Sequence, residues 1–200
     1  EVHLGSWRRD NGEFMKYNEI APQLIQYMHE QGFTHVEFLP VYEHPLDDSW
    51  GYMGTGYYSV SSRFGVPKDF MYLVDEMHKH GFGVIMDWVP GHICRDAFGL
   101  YMFDGSALYD YADPKIRDNE VWGTANLDLG KGLTRSFLYS NAMFWLKYFH
   151  VDGFRVDAVS NIIYYLGNPA NGVNEGACDF LRDLSRNLFA YDDRVLLMAE

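Results

Sequence analysis

An α/β fold with parallel strands is what this 200-residue chain predicts. Short apolar runs with little polar alternation, suited to strands buried on both faces, alternate with longer amphipathic segments of helical period. Strand and helix in alternation implies parallel strands joined by right-handed crossovers.

Taken in order, the first helix is expected over residues 18 to 31, where Ile20, Leu24, Ile25 and Met28 share a face, Asn18 stands at the N-cap and Gly32 closes the last turn. HVEFLPV at 35 to 41 follows as a strand, and a weaker one lies near 57 to 60. Residues 67 to 80 repeat the helical pattern through Phe70, Leu73, Val74 and Met77, opened by Pro67 and ended by Gly81. VIMDWV at 84 to 89 is the next strand. Leu138, Ala142, Trp145, Leu146 and Phe149 then mark a helix over 135 to 149, GFRVDAV a strand over 153 to 159, Phe180, Leu181, Leu184 and Leu188 a helix over 177 to 190, and VLLMAE a fifth strand over 195 to 200. Residues 90 to 133, between the third strand and its helix, far exceed the usual connection of about two to six residues. An insertion of that length, rich in Gly, Asp, Tyr and Asn, is expected to act as a lid or small subdomain over the strand ends.

Composition narrows the function classes. With 16 Lys and Arg against 28 Asp and Glu the formal charge is −12, and the cations are scattered singly, so a nucleic-acid partner is excluded for want of a basic stripe. Apolar runs are all shorter than a membrane span needs. Cys94 and Cys178 are the only cysteines and the polar N-terminal stretch has no secretory pattern, which points to a reducing cytoplasm. Neither a CxxC nor an HExxH pair occurs, so a metal has no support. His78 and His80, two apart on a helix, are expected on its surface.

The chemistry is carried by carboxylates at strand ends: Asp87 in VIMDWV, Asp157 in GFRVDAV and Glu200 in VLLMAE. In parallel α/β folds the loops at the carboxyl ends of the strands converge on the active site, so three acids share one rim. Arg155 and Asp157 lie two apart on one strand face, and the guanidinium favours an ionised, oriented carboxylate able to act as a nucleophile. Glu200 follows the apolar run Val195 to Ala199, a setting that raises a carboxyl pKa and suits a proton donor. Paired acids with those two roles are what glycoside chemistry requires. Aromatic residues make up 17% of the chain, and of those in loops (Trp50, Tyr52, Tyr57, Tyr58, Trp88, Tyr101, Trp122) Tyr52 and Trp50, set among glycines, are the best candidates for a platform that stacks on sugar faces. His92, beyond the strand that carries Asp87, reads equally as a hydrogen-bond donor to substrate or a brace for its loop.

Together DWVPGH at 87 to 92, DGFRVDAV at 152 to 159 and MAE at 198 to 200 resemble the signatures of the alpha-amylase superfamily. EVHLGSWRR at 1 to 9, FLPVYEHPLDDSWGY at 38 to 52 and TGYYSVSSRFG at 55 to 65 are similar to segments of its glycogen branching enzymes. The resemblance implies a partial (β/α)8 TIM barrel, about the first five strands, with the insertion after the third. It also implies Asp157 as nucleophile, Glu200 as general acid/base, Arg155 supporting the nucleophile, Asp87 organising the site, Tyr52 stacking on the sugar at the cleavage point and His92 hydrogen-bonding it. The implied substrate is an alpha-1,4-glucan, cut and passed to a 6-hydroxyl to form an alpha-1,6 branch, with no cofactor.

Two departures accompany the resemblance. The family carries a third acid, an Asp preceded by a His on a later strand, which these 200 residues do not contain, so a fragment inactive on its own is expected. WGTANLDLG at 122 to 130 also differs from the Asn-Tyr-Gly ending expected of relatives. A glucan hydrolase of the same superfamily and a non-catalytic sugar-binding barrel are the competing readings.

Overall fold

The computed structural model describes residues 1–200. Its centre is a parallel sheet of β1 (His35–Phe38), β4 (Gly83–Trp88), β8 (Gly153–Val156) and β9 (Leu196–Ala199), in the spatial order β9-β8-β4-β1. Beyond β1 the edge is continued by Val2 alone, which forms a parallel bridge to Phe38, with its N–H donating to the Glu37 carbonyl at 2.7 Å. The weak second strand expected near 57 to 60 is not a member of this sheet. Gly56–Val60 (β3) instead pairs antiparallel with Tyr42–Glu43 (β2) in a separate ribbon, because the loop of residues 44–55 reverses the chain and brings β3 back alongside β2 with no crossover helix between them.

Four main helices cover the sheet: α1 (Tyr17–Gln31), α2 (Pro67–Lys79), α3 (Gly132–Phe149) and α4 (Glu175–Tyr191). Each lies on its expected segment and buries its expected face, apart from Leu181 of α4, which is half-buried. The cap of α1 differs from expectation. Asn18 lies inside the helix; Lys16 takes the N-cap position, and its N–H donates to the Glu19 carboxylate at 2.7 Å. Gly32 ends the helix in the left-handed conformation, as a glycine there permits.

A single core joins these layers, and a chain of paired polar groups runs through it. Trp88 donates through Nε1 to Asn141 Oδ1 at 2.8 Å, while Asn141 Nδ2 and Trp145 Nε1 both donate to the Tyr57 carbonyl, at 2.6 and 3.1 Å. These bonds tie α3 to β3 and β4 at no cost in unpaired buried groups. Trp88 and Tyr57, counted above among loop aromatics, are thus core residues. The Tyr57 hydroxyl donates to the His92 carbonyl at 2.8 Å and so braces the chain just past β4. Burial is uneven across the sheet: β4 is covered on both faces, whereas β9 is largely exposed, against the expectation of double burial for every strand.

Register decides which residues meet. Arg155 lies opposite Asp87 on one side and Met198 on the other. At the far end of the same strands Asp152 fixes this alignment: its Oδ2 accepts the Val84 N–H at 2.6 Å and pairs with His78 Nε2 at 2.8 Å, while its own N–H donates to the Val84 carbonyl. His78 is therefore a half-exposed clasp, and His80 sits against His29.

The long connection after β4 folds into a three-stranded antiparallel sheet of β5 (His92–Cys94), β6 (Asp118–Asn119) and β7 (Thr124–Asn126), with β7 in the middle. No helix of the structure is long and apolar enough to cross a membrane.

Candidate active site

Three carboxylates converge on one guanidinium at the carboxyl end of the parallel sheet. Asp87 is the penultimate residue of β4, and Asp157 and Glu200 are the first residues after β8 and β9. Arg155 Nη1 donates to Asp157 Oδ1 at 2.7 Å and lies 3.1 Å from both oxygens of Asp87, while its Nη2 stands 3.5 Å from Glu200 Oε2. All three acids expected to share a rim do so.

Backbone geometry beyond β8 aims the acids. The Asp157 N–H donates to the Trp88 carbonyl, and Ala158 adopts a left-handed conformation with φ 50°, uncommon for a residue with a Cβ and typical of places where the surrounding structure imposes the turn. That turn presents the Ala158 N–H to Glu200 Oε2 at 2.8 Å. The Glu200 carbonyl accepts from Val159 at 2.7 Å.

A cavity of about 470 Å³ opens above this cluster, within the range of about 300–1,000 Å³ usual for small-molecule sites. Tyr52, His92, Arg155, Asp157 and Glu200 line it, and Asp87, with no exposed surface, lies beneath. Tyr52 caps Asp87: its hydroxyl donates to Oδ2 at 2.5 Å, and its ring lies 6.0 Å from the Arg155 guanidinium carbon. The segment bearing Tyr52 is held from below. Gly51 takes φ 96°, and a Cβ there would collide with the Pro40 carbonyl, so only glycine fits. Arg63 fastens the start of the segment through Asp47 at 2.5 Å and Glu43 at 3.0 Å.

His92 donates from Nε2 to the Tyr52 carbonyl at 3.1 Å, which fixes the proton on that nitrogen and leaves Nδ1 an acceptor. Of the two readings of this residue, the hydrogen bond is that of a brace. Burial holds the imidazole below its ordinary value, with the Asp157 charge opposing, so the ring is neutral at pH 7. Trp50 does not line the cavity. It turns the other way, with φ 54°, and lies tilted against His3 with ring centroids 5.9 Å apart, leaving Tyr52 as the aromatic of that segment at the site.

The electrostatics differ from what Arg155 alone suggests. Burial raises the Asp157 carboxyl from its ordinary value, with the nearby Glu200 charge adding to it, although His92 and Arg155 pull the other way. Asp87 is pushed up to about 7 by burial, against the Tyr52 hydroxyl and Arg155, with Asp157 adding repulsion. Glu200 does not have the apolar surroundings expected from the run before it: its side chain is 54% exposed.

Asp87 therefore gives stability a pH dependence of definite sign. Its folded value of about 7 exceeds the ordinary 3.8, so between these the native state binds more protons than the unfolded chain, and stability falls as pH rises through that window. Asp87→Asn removes the slope. The thermal midpoint of the variant relative to wild type is expected to rise from pH 5 to pH 8, and a constant gap across that range would contradict the assignment.

Leu46, Asp48, Ser49, Met53, Thr124 and Ala158 also line the cavity; all but Met53 fall within the quoted segments, but none was named as a site residue. Asp48 and Ser49 lie in the DDSWGY run beside Tyr52, where proximity in sequence was the only available signal. Trp122, one of the loop aromatics, reaches the cavity from the turn between β6 and β7.

The arrangement has relatives. Residues 20–131 match the family model described as alpha amylase, catalytic domain. The chain is 60% identical over its whole length to the 1,4-alpha-glucan branching enzyme GlgB of Bacillus caldolyticus and 56% identical to that of Bacillus cytotoxicus, of which it covers 30% and 31%. It thus spans about a third of the length of the curated relatives it matches. Among solved structures, an alpha-amylase from Geobacillus thermoleovorans superposes with a TM-score of 0.76 at 19% identity, covering 99% of this chain and 45% of that one, a likeness of fold.

Proposed function

Because the chain belongs to the alpha-amylase catalytic-domain family, we propose that it forms part of a (β/α)8 TIM barrel, about the first five strands, of a 1,4-alpha-glucan branching enzyme, with residues 90–133 a small subdomain over the strand ends. The observation that carries this reading is the convergence of Asp87, Asp157 and Glu200 on Arg155 beneath a cavity walled by Tyr52 and His92. The reading is supported by 60% and 56% identity, over this chain's length, to proteins of that name, and it puts the reaction on alpha-1,4-glucan chains in the cytoplasm.

In the proposed mechanism Asp157 attacks the anomeric carbon while Glu200 gives its proton to the departing glycosidic oxygen, so that the C1–O4 bond breaks and a glucosyl ester forms on Asp157. Glu200, now a carboxylate, takes the proton of a 6-hydroxyl on a second chain. That oxygen attacks C1 and displaces Asp157, closing an alpha-1,6 linkage with retained configuration. Arg155 holds the nucleophile, Asp87 anchors Arg155 and Tyr52, the Tyr52 ring faces the sugar, and His92 keeps the Tyr52 backbone in place at the same sugar. No cofactor enters either step.

The test is to incubate the protein expressed from its full reading frame with amylose and to follow linkages by NMR alongside reducing ends. Alpha-1,6 signals are expected with little gain in reducing ends. Rising reducing ends without branches would assign a hydrolase instead, and glucan binding without turnover a sugar-binding barrel.

A further inference from the structure

The wall of the active-site cavity that carries Tyr52 is thin. It is the connection of residues 44–55 between β2 and β3, from which Leu46, Asp48, Ser49, Tyr52 and Met53 face the cavity. Behind it lies a second cavity of about 290 Å³, bordered by His44, Asp47, Asp48 and Trp50 of the same connection and by His3 and Arg63 across from them. Asp48 borders both. Open space on either side leaves this wall without the close-packed backing that fixes a core element, so polar ties at particular points must set its position.

Arg63 supplies those ties. It sits in the short turn Ser62–Phe64 that follows β3, and its planar fork reaches both feet of the wall: Nε donates to Asp47 Oδ1 at 2.5 Å and Nη1 to Glu43 Oε1 at 3.0 Å. Asp47 opens the turn Asp47–Ser49, in which the Asp47 carbonyl accepts the Trp50 N–H at 3.1 Å and the Ser49 carbonyl accepts the Tyr52 N–H at 2.9 Å. Glu43 holds the other foot. Its carbonyl accepts the Thr55 N–H at 2.9 Å, and its Oε2 accepts the Ser62 N–H at 2.8 Å. The turn bearing Arg63 is itself moored to the start of α1, where Lys16 Nζ donates to the Arg63 carbonyl and the buried Tyr17 hydroxyl to the Ser61 carbonyl, both at 3.0 Å. An isolated exposed ion pair would hold little, but a fork joined to two acids and moored through its own backbone forms a network.

We propose that Arg63 is a positioning residue for the reaction: by holding Asp47 and Glu43 it sets where the Tyr52 hydroxyl meets Asp87 and where the Tyr52 ring faces the sugar. It lines no part of the active-site cavity and acts only through the wall. The inference rests on the reading of glucan transfer in that cavity, and it extends the machinery to a side chain on the far side of the Tyr52 segment.

The test is a double-mutant cycle in the full-length protein, read as kcat/KM on amylose beside the thermal midpoint. Misplacing a reacting group by about 1 Å costs about 100-fold, so Arg63→Met is expected to lower kcat/KM about 30-fold to 100-fold. In a Tyr52→Ala background the same change is expected to cost less than about threefold, because no ring or hydroxyl is left to place. Asp47→Ala trims a side chain that is 61% exposed and is expected to fold as wild type. It should lower kcat/KM about threefold to 30-fold, again only while Tyr52 is present. Arg63→Lys is expected to recover part of the loss, since a point charge cannot hold both acids at once. A merely structural role predicts the same fractional loss in both backgrounds. That outcome, or wild-type kcat/KM in Asp47→Ala, in a protein that still branches amylose, would overturn the positioning role and leave the proposed function standing. A wild-type protein that leaves amylose unchanged would overturn both.

Discussion

Asp157→Asn is expected to lower branching turnover by about 10⁴-fold or more, the scale seen when a residue that forms the covalent intermediate is removed. The amide keeps an oxygen for Arg155 Nη1, which now donates to Asp157 at 2.7 Å, so the guanidinium stays in place. It also removes one negative charge from the cluster of three acids, and burial already disfavours ionisation at this position. The thermal midpoint is therefore expected to hold or to rise slightly. Turnover falling by less than about 100-fold, with branches still forming, would remove Asp157 from the nucleophile's role.

The second large effect is expected at Arg155, and it appears in both stability and activity. Arg155→Met keeps much of the stem volume but takes the one cation from Asp87, which has no exposed surface, and from Asp157 and Glu200. Breaking a buried pair by removing one partner costs about 3–5 kcal/mol, because the charge left behind is neither paired nor hydrated. Denaturation measured at pH 8 is expected to show that loss. At pH 5 the loss is expected to shrink, since Asp87, already raised to about 7, gains a proton and sheds its charge. Arg155→Lys is expected to recover only part of either property, because a point charge cannot reach three acids from the positions that the planar fork occupies. Equal stability of Arg155→Met and wild type at pH 8 would show that the acids are neutralised by another route.

Much of this architecture was legible in the residues. Helical faces announced themselves by period, and Asp87, Asp157 and Glu200 by their place at the ends of apolar runs. What stayed hidden depended on long-range geometry. GYYSV at 56 to 60 looks like a strand and is one, but nothing local says whether it joins the parallel sheet or returns upon Tyr42 and Glu43. Trp50 and Tyr52 share one glycine-rich segment, and the left-handed backbone at Trp50 sends the two rings apart. The Asp157 carboxyl was expected to follow its neighbour Arg155, yet the depth of its burial, a property of the whole fold, sets the direction of its shift. Thr124 lies within WGTANLDLG, where nothing in the sequence sets it apart. Its unmatched hydroxyl is something that only three-dimensional contacts disclose.

Asp152, which clasps Val84 and His78 at the far end of β4 and β8, has a consequence for how such a gene can drift. Side chains alternate along each strand, so losing a single codon within residues 83 to 87 or 153 to 155 would turn either Asp87 or Arg155 to the opposite face of the sheet. The exposed turn at residues 103 to 106 of the connection between β4 and α3, away from the cavity, carries no such constraint. Lineages of this chain should therefore lengthen and shorten there freely, while these two strands keep their spelling length and change only by replacement.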